Sequence, residues 1–352
     1  MLKVIVRRIR NVHPDAPIYV ICKYAPRVKD ILPVRKSVGL PIVTQITYFC
    51  RLLVTILKVD KLIIGGGTLF LDRGKHNLHM LVLSMVIFLS KIFSKKTYVV
   101  GVGIDKITYP MNVRYLKYIL ENSEFVSVRD NFSFNVANNL IGKSIVKKTS
   151  DIVFDSGFVK SLQTCKSSEK KFIVLALFDY NRIWGSIEKE KLFREHSLQL
   201  IVNILKKWGS EYKIALCAFQ YKKGGCDYEF LADLHSSIMT DYPIFADRLI
   251  VKYLDKEDQI KEYIGQAVFA ISNRYHALVL CAILGVPFMG IQTGMKINEI
   301  CNEFSMPFIK ESEYIERGIG IHKLDALKTM TIKEEVVVQS MEGAEGNFVW
   351  IR

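Results

Sequence analysis

The residues best suited to chemistry are Ser272-Asn273-Arg274-Tyr275-His276, which lie between an apolar strand and an apolar helix. A charged Arg274 and an imidazole at His276 are costly against such a core unless they face a cleft and have partners. The start of the helix adds positive potential and free amides, which suit a phosphate or a carboxylate. His276 is also placed for proton transfer near neutral pH. The alternative is a buried Arg–His pair that stabilises the domain.

Three further segments could bind a ligand. Gly65-Gly66-Gly67 follows a short apolar run, and we expect either an anion-binding loop or a tight turn there. Arg129 ends another apolar strand and could grip a carboxylate or phosphate, or pair with Asp130 beside the following helix. Asp151 could orient a sugar hydroxyl or a catalytic group, or serve as a turn or cap carboxylate.

These segments alternate with helical patterns along the whole chain. Apolar runs predict strands, and apolar residues at helical spacing predict the helices between them. Such alternation is typical of βαβ units and parallel sheets. The predicted strands are 18–22, 62–64, 98–104, 125–128, 172–178, 212–219, 249–253, 267–271 and 286–291, and the predicted helices are 1–12, 42–58, 77–94, 111–122, 131–140, 187–207, 227–239, 256–264 and 276–284.

The chain of 352 residues is long enough for two α/β domains. The polar, Ser- and Lys-rich stretch 156–171 is predicted to be a linker. We therefore expect an N-terminal Rossmann-like domain at 1–155, a C-terminal one at 172–325 and a tail at 326–352. Because ligands bind at the carboxyl ends of parallel strands, the cleft between the two domains is the expected site.

The net charge of +14 is unevenly distributed. Residues 1–150 contain 24 Lys and Arg against 8 Asp and Glu, whereas the remainder is close to neutral. Such asymmetry favours a membrane surface, a nucleic acid or a phosphorylated substrate as partner of the first part, or else a solvated basic face. The apolar run 78–93 is too short to span a membrane, so we expect a buried helix or, alternatively, a membrane-surface helix.

The seven cysteines form no CxxC pair and no zinc-binding spacing. Their odd number and scatter favour reduced thiols and a cytoplasmic setting. The N-terminal residues show no secretory signal, because Lys3, Arg7 and Arg8 interrupt the apolar residues.

Five segments occur in an order that resembles the polysaccharide pyruvyl transferase family. They are GGGTLFLD (65–72), GVGI (101–104), SVRD (127–130), SDIVFD (150–155) and SNRYHALVLCAILGVPFMGI (272–291). The last is the most specific, and the resemblance extends over about residues 1–310. It implies two Rossmann-like domains similar to GT-B glycosyltransferases. It also implies transfer of the enolpyruvyl group of phosphoenolpyruvate to a sugar of a cell-surface polysaccharide, or of its lipid-linked precursor, as a ketal.

The resemblance also implies roles for individual residues. Arg274 and His276 match residues that hold phosphoenolpyruvate and assist catalysis, next to Ser272 and Asn273. Arg129 and Lys296 are implied as further anion contacts. Gly65, Gly66, Gly67 and Asp72 match an acceptor-side loop, and Asp151 lies in the matching SDIVFD segment. Phosphoenolpyruvate is then a co-substrate, and no cofactor, metal or nucleic acid is expected. The predicted location is cytoplasmic, or peripheral on the inner face of the cell membrane.

The resemblance leaves two questions open. Family members begin with a strand and an Asn-x-Gly-Asp loop before a helix like 1–12, so we expect the first domain here to lack that strand. An upstream start, a truncated gene and a divergent member would each explain this. The alternative functions are a GT-B-like glycosyltransferase that uses a nucleotide-sugar, with Glu299 as the candidate ribose ligand, and a truncated relative without catalysis.

Overall fold

A computed structural model of the chain describes residues 1–21, 36–38, 52–72, 77–142, 145–164, 169–178, 186–220 and 227–351. The strands among these residues are β1 (Tyr19–Ile21), β2 (Lys36–Val38), β3 (Lys61–Phe70), β4 (Lys96–Ile104), β5 (Phe125–Val128), β6 (Val146–Lys148), β7 (Phe172–Ala176), β8 (Lys213–Ala218), β9 (Leu249–Tyr253), β10 (Ala267–Ser272), β11 (Phe288–Gln292) and β12 (Phe308–Lys310).

The helices connect these strands. They are α1 (Leu2–Val12), α2 (Leu78–Ile92), α3 (Pro110–Glu121), α4 (Asn131–Ile141), α5 (Ser156–Gln163), α6 (Ile187–Trp208), α7 (Asp227–Asp241), α8 (Glu257–Tyr263), α9 (Tyr275–Leu284), α10 (Met295–Glu303), α11 (Glu311–Arg317), α12 (His322–Asp325) and α13 (Glu334–Glu345). Residues 52–57 are also helical, and the rest of the predicted helix 42–58 lies almost wholly outside the described residues, as does Cys22 of the predicted first strand.

The chain divides into two compact units. The first, Met1–Phe158 with Ser340–Arg352, is built on a parallel sheet in the order β3-β4-β5-β6. Parallel neighbours need crossover connections, which α2, α3 and α4 supply. Their apolar faces bury one side of β4, whose residues after Lys96 are all buried. β1 and β2 pair separately as a two-stranded parallel sheet.

The second unit, Val159–Gln339, is built on a parallel sheet in the order β12-β11-β10-β7-β8-β9. The chain moves outward from β7 through β8 to β9, then returns to β10 on the other side of β7. Strand order therefore reverses between β7 and β10, and ligands of open α/β sheets bind at such a switch point. The predicted fold class of two Rossmann-like α/β domains is confirmed by these two parallel sheets.

The first half of the predicted linker 156–171 is a helix in the structure. Residues Ser156–Gln163 form α5, because Val159 and Leu162 lie one helical turn apart and are both fully buried. The boundary between the units falls inside this helix, between Phe158 and Val159. The polar composition that predicted a linker belongs to the exposed face of α5 and to the residues that follow it.

The C-terminal residues are divided between the units rather than forming one tail. Residues from Ser340 onward pack with the first unit. Phe348, Trp350 and Ile351 are buried in a cluster that includes Val4 of α1 and Tyr98 of β4. The ring of Trp350 lies 4.8 Å from that of Tyr98. These apolar side chains cover a face of the first sheet that α2, α3 and α4 do not cover.

Strand β3 continues through the three glycines, so the glycine turn predicted after Ile64 was wrong. Pairing with β4 runs from Lys61 opposite Lys96 to Phe70 opposite Ile104. Gly66 and Gly67 adopt φ values of +78° and +82°, which glycine alone tolerates easily. Glycine here permits an irregular strand instead of ending it. None of the described helices is both long and apolar enough to cross a membrane.

Candidate functional site

At the switch point of the second sheet, Ser272 and Asn273 link the end of β10 to the end of β7. The Ser272 hydroxyl donates to the Ala176 carbonyl of β7 at 2.7 Å and accepts from the Arg274 amide at 2.8 Å. The Asn273 side-chain oxygen accepts from the Phe178 amide at 3.0 Å. Both side chains are buried and join the ends of β10 and β7. They fix the backbone from which Arg274 projects.

Arg274 is the residue that precedes α9, at the carboxyl end of β10. Its Nη2 donates to the carboxylate of Asp227 and to the side-chain oxygen of Gln220, the latter at 3.1 Å. The guanidinium carbon lies 4.1 Å from the centre of the Phe178 ring. The Arg274 side chain is 24% exposed, whereas that of Asp227 is 1% exposed. A planar cation is thus held rigidly beside a helix N-terminus and still reaches solvent.

His276 and Lys296 lie at the same edge of this sheet. His276 is the second residue of α9, is half-buried, and has its ring edge-on to that of Tyr275 at 5.5 Å. Lys296 is the second residue of α10, which follows β11. Because β10 and β11 are parallel neighbours, the three predicted residues Arg274, His276 and Lys296 all follow carboxyl ends of adjacent strands.

Sequence reasoning missed Asp227, Gln220 and Phe178. Asp227 opens α7, and its carboxylate also accepts from the Phe219 amide at 3.2 Å. Gln220 follows β8 and Phe178 follows β7, the two strands next to β10 on that side. The available signal was that Phe178 ends a predicted strand, Gln220 follows one and Asp227 begins a predicted helix. Nothing in the sequence, however, identified which of the strand ends would meet Arg274.

Arg129 follows β5 in the first unit and is almost fully buried. Its Nη1 donates to Asp151 at 2.7 Å and its Nη2 to the Thr68 hydroxyl at 2.8 Å. The side chains of Arg129 and Asp151 are 1% and 0% exposed. A Cβ added to Gly103 would lie 2.9 Å from Arg129 Nε, so β4 needs glycine there for the guanidinium to fit. These contacts make Arg129 and Asp151 a buried ion pair in which neither side chain is open to a ligand.

Asp151 has a second contact. It accepts from the Val153 amide at 3.0 Å and so caps the short 3-10 helix Ile152–Phe154. This agrees with the cap alternative weighed from the sequence.

Asp72, predicted on the acceptor side, contacts the residues that lead into α3. It accepts from the Thr108 amide at 2.6 Å, the Thr108 hydroxyl at 2.8 Å and the Asn112 side chain at 2.7 Å. Burial alone would raise the pKa of Asp72, but hydrogen bonds from Asn112, Thr108 and Tyr109 together lower it below its ordinary value. The Asp72 carboxylate therefore ties the end of β3 to the start of α3.

A buried polar network joins the C-terminal segment to β5 and β6. The Asn347 side-chain oxygen accepts from the hydroxyls of Ser127 at 2.7 Å and Thr149 at 2.8 Å. Its amide nitrogen donates to the Ser150 carbonyl at 2.9 Å. Asn347 is fully buried and braces the two segments that carry Arg129 and Asp151. The sequence offered no signal for this residue, since its partners lie about 200 positions away.

Within the described ranges, no group of three or more His, Cys, Asp and Glu side chains is arranged to hold a metal ion. The groups at the switch point that could act on a ligand are Arg274, His276, Lys296 and the backbone amides of α9.

Several solved structures share this fold. Anabaena Alr3699/HepE in complex with UDP and glucose has a TM-score of 0.57 and 12% identity, over 99% of this chain and 92% of that chain. UDP-GlcNAc 2-epimerase from Methanocaldococcus jannaschii has a TM-score of 0.63 and 10% identity, over 98% and 94%. The enzyme from Neisseria meningitidis, bound to UDP-GlcNAc, has a TM-score of 0.60 and 10% identity, over 98% and 93%. At such identities the likeness establishes the fold alone.

Sequence comparison establishes the family. No protein of curated function matches the sequence. The sequence profile of the polysaccharide pyruvyl transferases, however, matches residues 1–294, which include all of β10 and α9 with Arg274 and His276. The resemblance seen in the five sequence segments is thereby confirmed, and the chain belongs to the polysaccharide pyruvyl transferase family of transferases.

Proposed function

We propose that this protein transfers the enolpyruvyl group of phosphoenolpyruvate to a sugar of a cell-surface polysaccharide or its lipid-linked precursor. The product is a pyruvate ketal, and inorganic phosphate is released. The observation that carries the proposal is Arg274, a planar cation fixed at the N-terminus of α9 where the strand order reverses. That position suits a small dianionic substrate.

The contacts around Arg274 support binding of phosphoenolpyruvate. Asp227 and Gln220 hold Nη2, and Phe178 supports one face of the guanidinium, so little side-chain entropy is left to lose on binding. Asp227 balances the charge of Arg274 before the substrate arrives. Lys296, after the neighbouring strand, supplies a second cation, so that phosphate and carboxylate each have a positive partner.

The reaction balances as follows. The methylene carbon of phosphoenolpyruvate gains a proton and becomes a methyl group, which makes carbon 2 electrophilic. One sugar hydroxyl attacks carbon 2, phosphate leaves with the C–O bonding electrons, and a second hydroxyl of the same sugar attacks in turn. The two hydroxyls release two protons. One replaces the proton that the acid gave to the methylene carbon, and the other is taken up by phosphate. His276 is the proposed acid, and Arg274 and Lys296 stabilise charge on the departing phosphate.

The acceptor sugar is proposed to meet the first unit. Gly65, Gly66 and Gly67 carry no side chain, and the backbone of Gly66 and Gly67 is in the left-handed region. Glycine at these positions makes room for the side chains of Ile5 and Met1, because an added Cβ at Gly65 would lie 3.1 Å from Ile5 and one at Gly66 would lie 3.2 Å from Met1. Arg129, Asp151 and Asp72 contribute to this surface by fixing β3, β4 and the segments beside them, since their own side chains are engaged by other residues.

A nucleotide-sugar glycosyltransferase is the second candidate function. The structures of Alr3699/HepE hold UDP, and the fold here is similar. In that case Glu299, on α10 at the same end of the second sheet, would be expected to contact the ribose of the donor.

Thermal-shift titration separates the two candidates. Phosphoenolpyruvate should raise the melting temperature of the full chain, and Arg274→Lys should remove that shift. A shift with UDP-sugars and none with phosphoenolpyruvate would replace the proposal with the second candidate.

Turnover is tested by phosphate release from phosphoenolpyruvate in the presence of candidate glycans. His276→Ala should lower the rate by about 100-fold or more, which is the usual contribution of a positioned acid. His235→Ala, in α7 of the same unit, is the matched control and should retain full activity. Full activity in His276→Ala would remove the acid role. Phosphoenolpyruvate binding without phosphate release by any glycan would indicate a non-catalytic relative.

A further inference from the structure

Helix α2 carries an exposed apolar stripe. Leu78, Met85, Phe88 and Ile92 are 66%, 44%, 52% and 57% exposed. With about 100° of rotation per residue, these four positions share roughly a quarter of the helix circumference. The opposite side of α2 packs into the first unit through Met80, Val86 and Ile87. The helix is therefore apolar on its exposed side as well as on its packed side, and it is not buried all round, which was one of the two expectations from its sequence.

The apolar stripe continues onto neighbouring elements. Between α2 and α3 lies an open groove lined by Met85, Phe88, Arg114, Tyr115 and Tyr118, together with Ser84. Along another side, residues 52–57 pack on Val86 through Leu52 and Ile56 while leaving Val54 and Leu57 half exposed. Exposed apolar side chains thus extend over three adjacent helical segments, and a continuous patch of this kind marks an interaction surface.

Cations lie at one end of the stripe and along one of its sides. Lys91, Lys95 and Lys96 lie at the C-terminal end of α2 and just beyond it. Lys95 donates to the Leu57 carbonyl at 3.3 Å and so lies between α2 and residues 52–57. Arg114 borders the groove beside Phe88. Residues 77–121, from the residue before α2 to the end of α3, contain six Lys and Arg against one Asp and one Glu, so the net charge of these elements complements an anionic partner.

We infer that the apolar stripe of α2 and the cations around it form a docking surface for an anionic lipid bilayer. Apolar side chains of a surface helix enter the interface between head groups and acyl chains, while Lys and Arg at its margins contact anionic head groups. A nucleic acid would not use the exposed Phe88 and Ile92 in this way. This surface is independent of the proposed reaction and would bring the first unit to a membrane whether or not the acceptor is lipid-linked.

Flotation of the full chain with lipid vesicles tests the inference without any substrate. The protein should float with vesicles of phosphatidylcholine and phosphatidylglycerol, and binding should weaken as salt increases. The double variant Met85→Ser/Phe88→Ser should lower the partition coefficient at least tenfold, because two partly inserted side chains are lost. The triple variant Lys91→Gln/Lys95→Gln/Lys96→Gln should lower it by about 100-fold at low salt, from about 1 kcal/mol per cation.

A matched control comes from the second unit. Ile187 and Ile244 are 81% and 83% exposed, so Ile187→Ser/Ile244→Ser removes as much exposed apolar surface elsewhere and should leave flotation unchanged. Circular dichroism should show the same helix content in all variants. Failure of the wild type to float, or equal losses in the control and in Met85→Ser/Phe88→Ser, would overturn the inference. Lipid-free dimerisation that only Met85→Ser/Phe88→Ser abolishes would instead assign the stripe to a second copy of this chain.

Discussion

Each unit ends a buried parallel strand with an arginine that contacts a buried aspartate, yet the two pairs differ in access. In the first unit, Arg129 follows β5 and pairs with Asp151, with both side chains almost inaccessible. In the second unit, Arg274 follows β10 and pairs with Asp227, but about a quarter of its side chain reaches solvent. The same residue types at equivalent places in two Rossmann-like units thus have different surroundings.

The difference follows from what covers each guanidinium. Arg129 donates from Nη2 to Thr68 of β3 and from Nη1 to Asp151. The backbone at Gly103 packs against its guanidinium. Arg274 has an aromatic ring beneath it and donates from Nη2 to Gln220 and Asp227, and 24% of its side chain is exposed. A covered pair is positioned to stabilise its unit, whereas the partly exposed Arg274 is the cation that the proposed function assigns to an anionic substrate. Two strand-end arginines in one chain therefore need not share a function.

The largest expected effect concerns stability of the first unit. Arg129→Met should lower its free energy of unfolding by about 3–5 kcal/mol, because Asp151 would remain buried without its cation. Arg274→Met is the matched variant and should cost the second unit less, about 1–3 kcal/mol, since solvent can reach Asp227 once Arg274 is shortened. Urea-dependent hydrogen exchange of peptides from each unit measures both losses. Equal losses would contradict the distinction between the two pairs.

The next effect concerns activity. Arg274→Lys should reduce phosphate release from phosphoenolpyruvate by about 100-fold, because a point charge lacks the planar fork and cannot stack on Phe178 in the same way. The melting temperature should change little, as Lys can still pair with Asp227. Steady-state kinetics alongside thermal unfolding measures both quantities. Activity within threefold of wild type would show that the reaction does not need the planar fork of Arg274.

The smallest effect concerns Asp72, whose carboxylate accepts hydrogen bonds from the uncharged residues Thr108 and Asn112. Asp72→Asn should cost about 1 kcal/mol, because it weakens the hydrogen bonds that the carboxylate accepts from Thr108 and Asn112. The pKa of Asp72 is lowered in the folded state. Its contribution to stability is thus fully present above the unfolded pKa of about 3.9 and is lost as pH falls through the folded value.

Urea unfolding of wild type and Asp72→Asn at several pH values measures this contribution. The difference between the two proteins should be constant at neutral pH and shrink below about pH 4. Asp105→Asn is the control, because that carboxylate accepts from the amide of the adjacent Lys106 and caps no helix. A difference that grows on acidification would contradict the lowered pKa.

The fold was predictable because its signals are local. Apolar runs of strand length and apolar residues at helical spacing located the predicted elements within a few residues, for example Phe125–Val128 and Leu249–Tyr253. Prediction failed where composition misled. Glycines inside β3 were interpreted as a turn, and the polar face of α5 was interpreted as a linker. The pairing of β3 with β4 keeps the glycines in a strand, and the burial of Val159 and Leu162 keeps α5 helical. Neither effect can be seen in the composition of the segment itself.

The sequence by itself determined the α/β alternation, the uneven charge, the family and the segment Ser272–His276 as the principal candidate site. Only the tertiary structure decided which cation is open, because the partners lie far apart along the chain: Asp227 is 47 positions from Arg274, and Thr68 is 61 positions from Arg129. Periodicity reports how a segment buries its own side chains. The order of strands in each sheet decides which distant strand ends meet, and with them which charges are covered and which can bind.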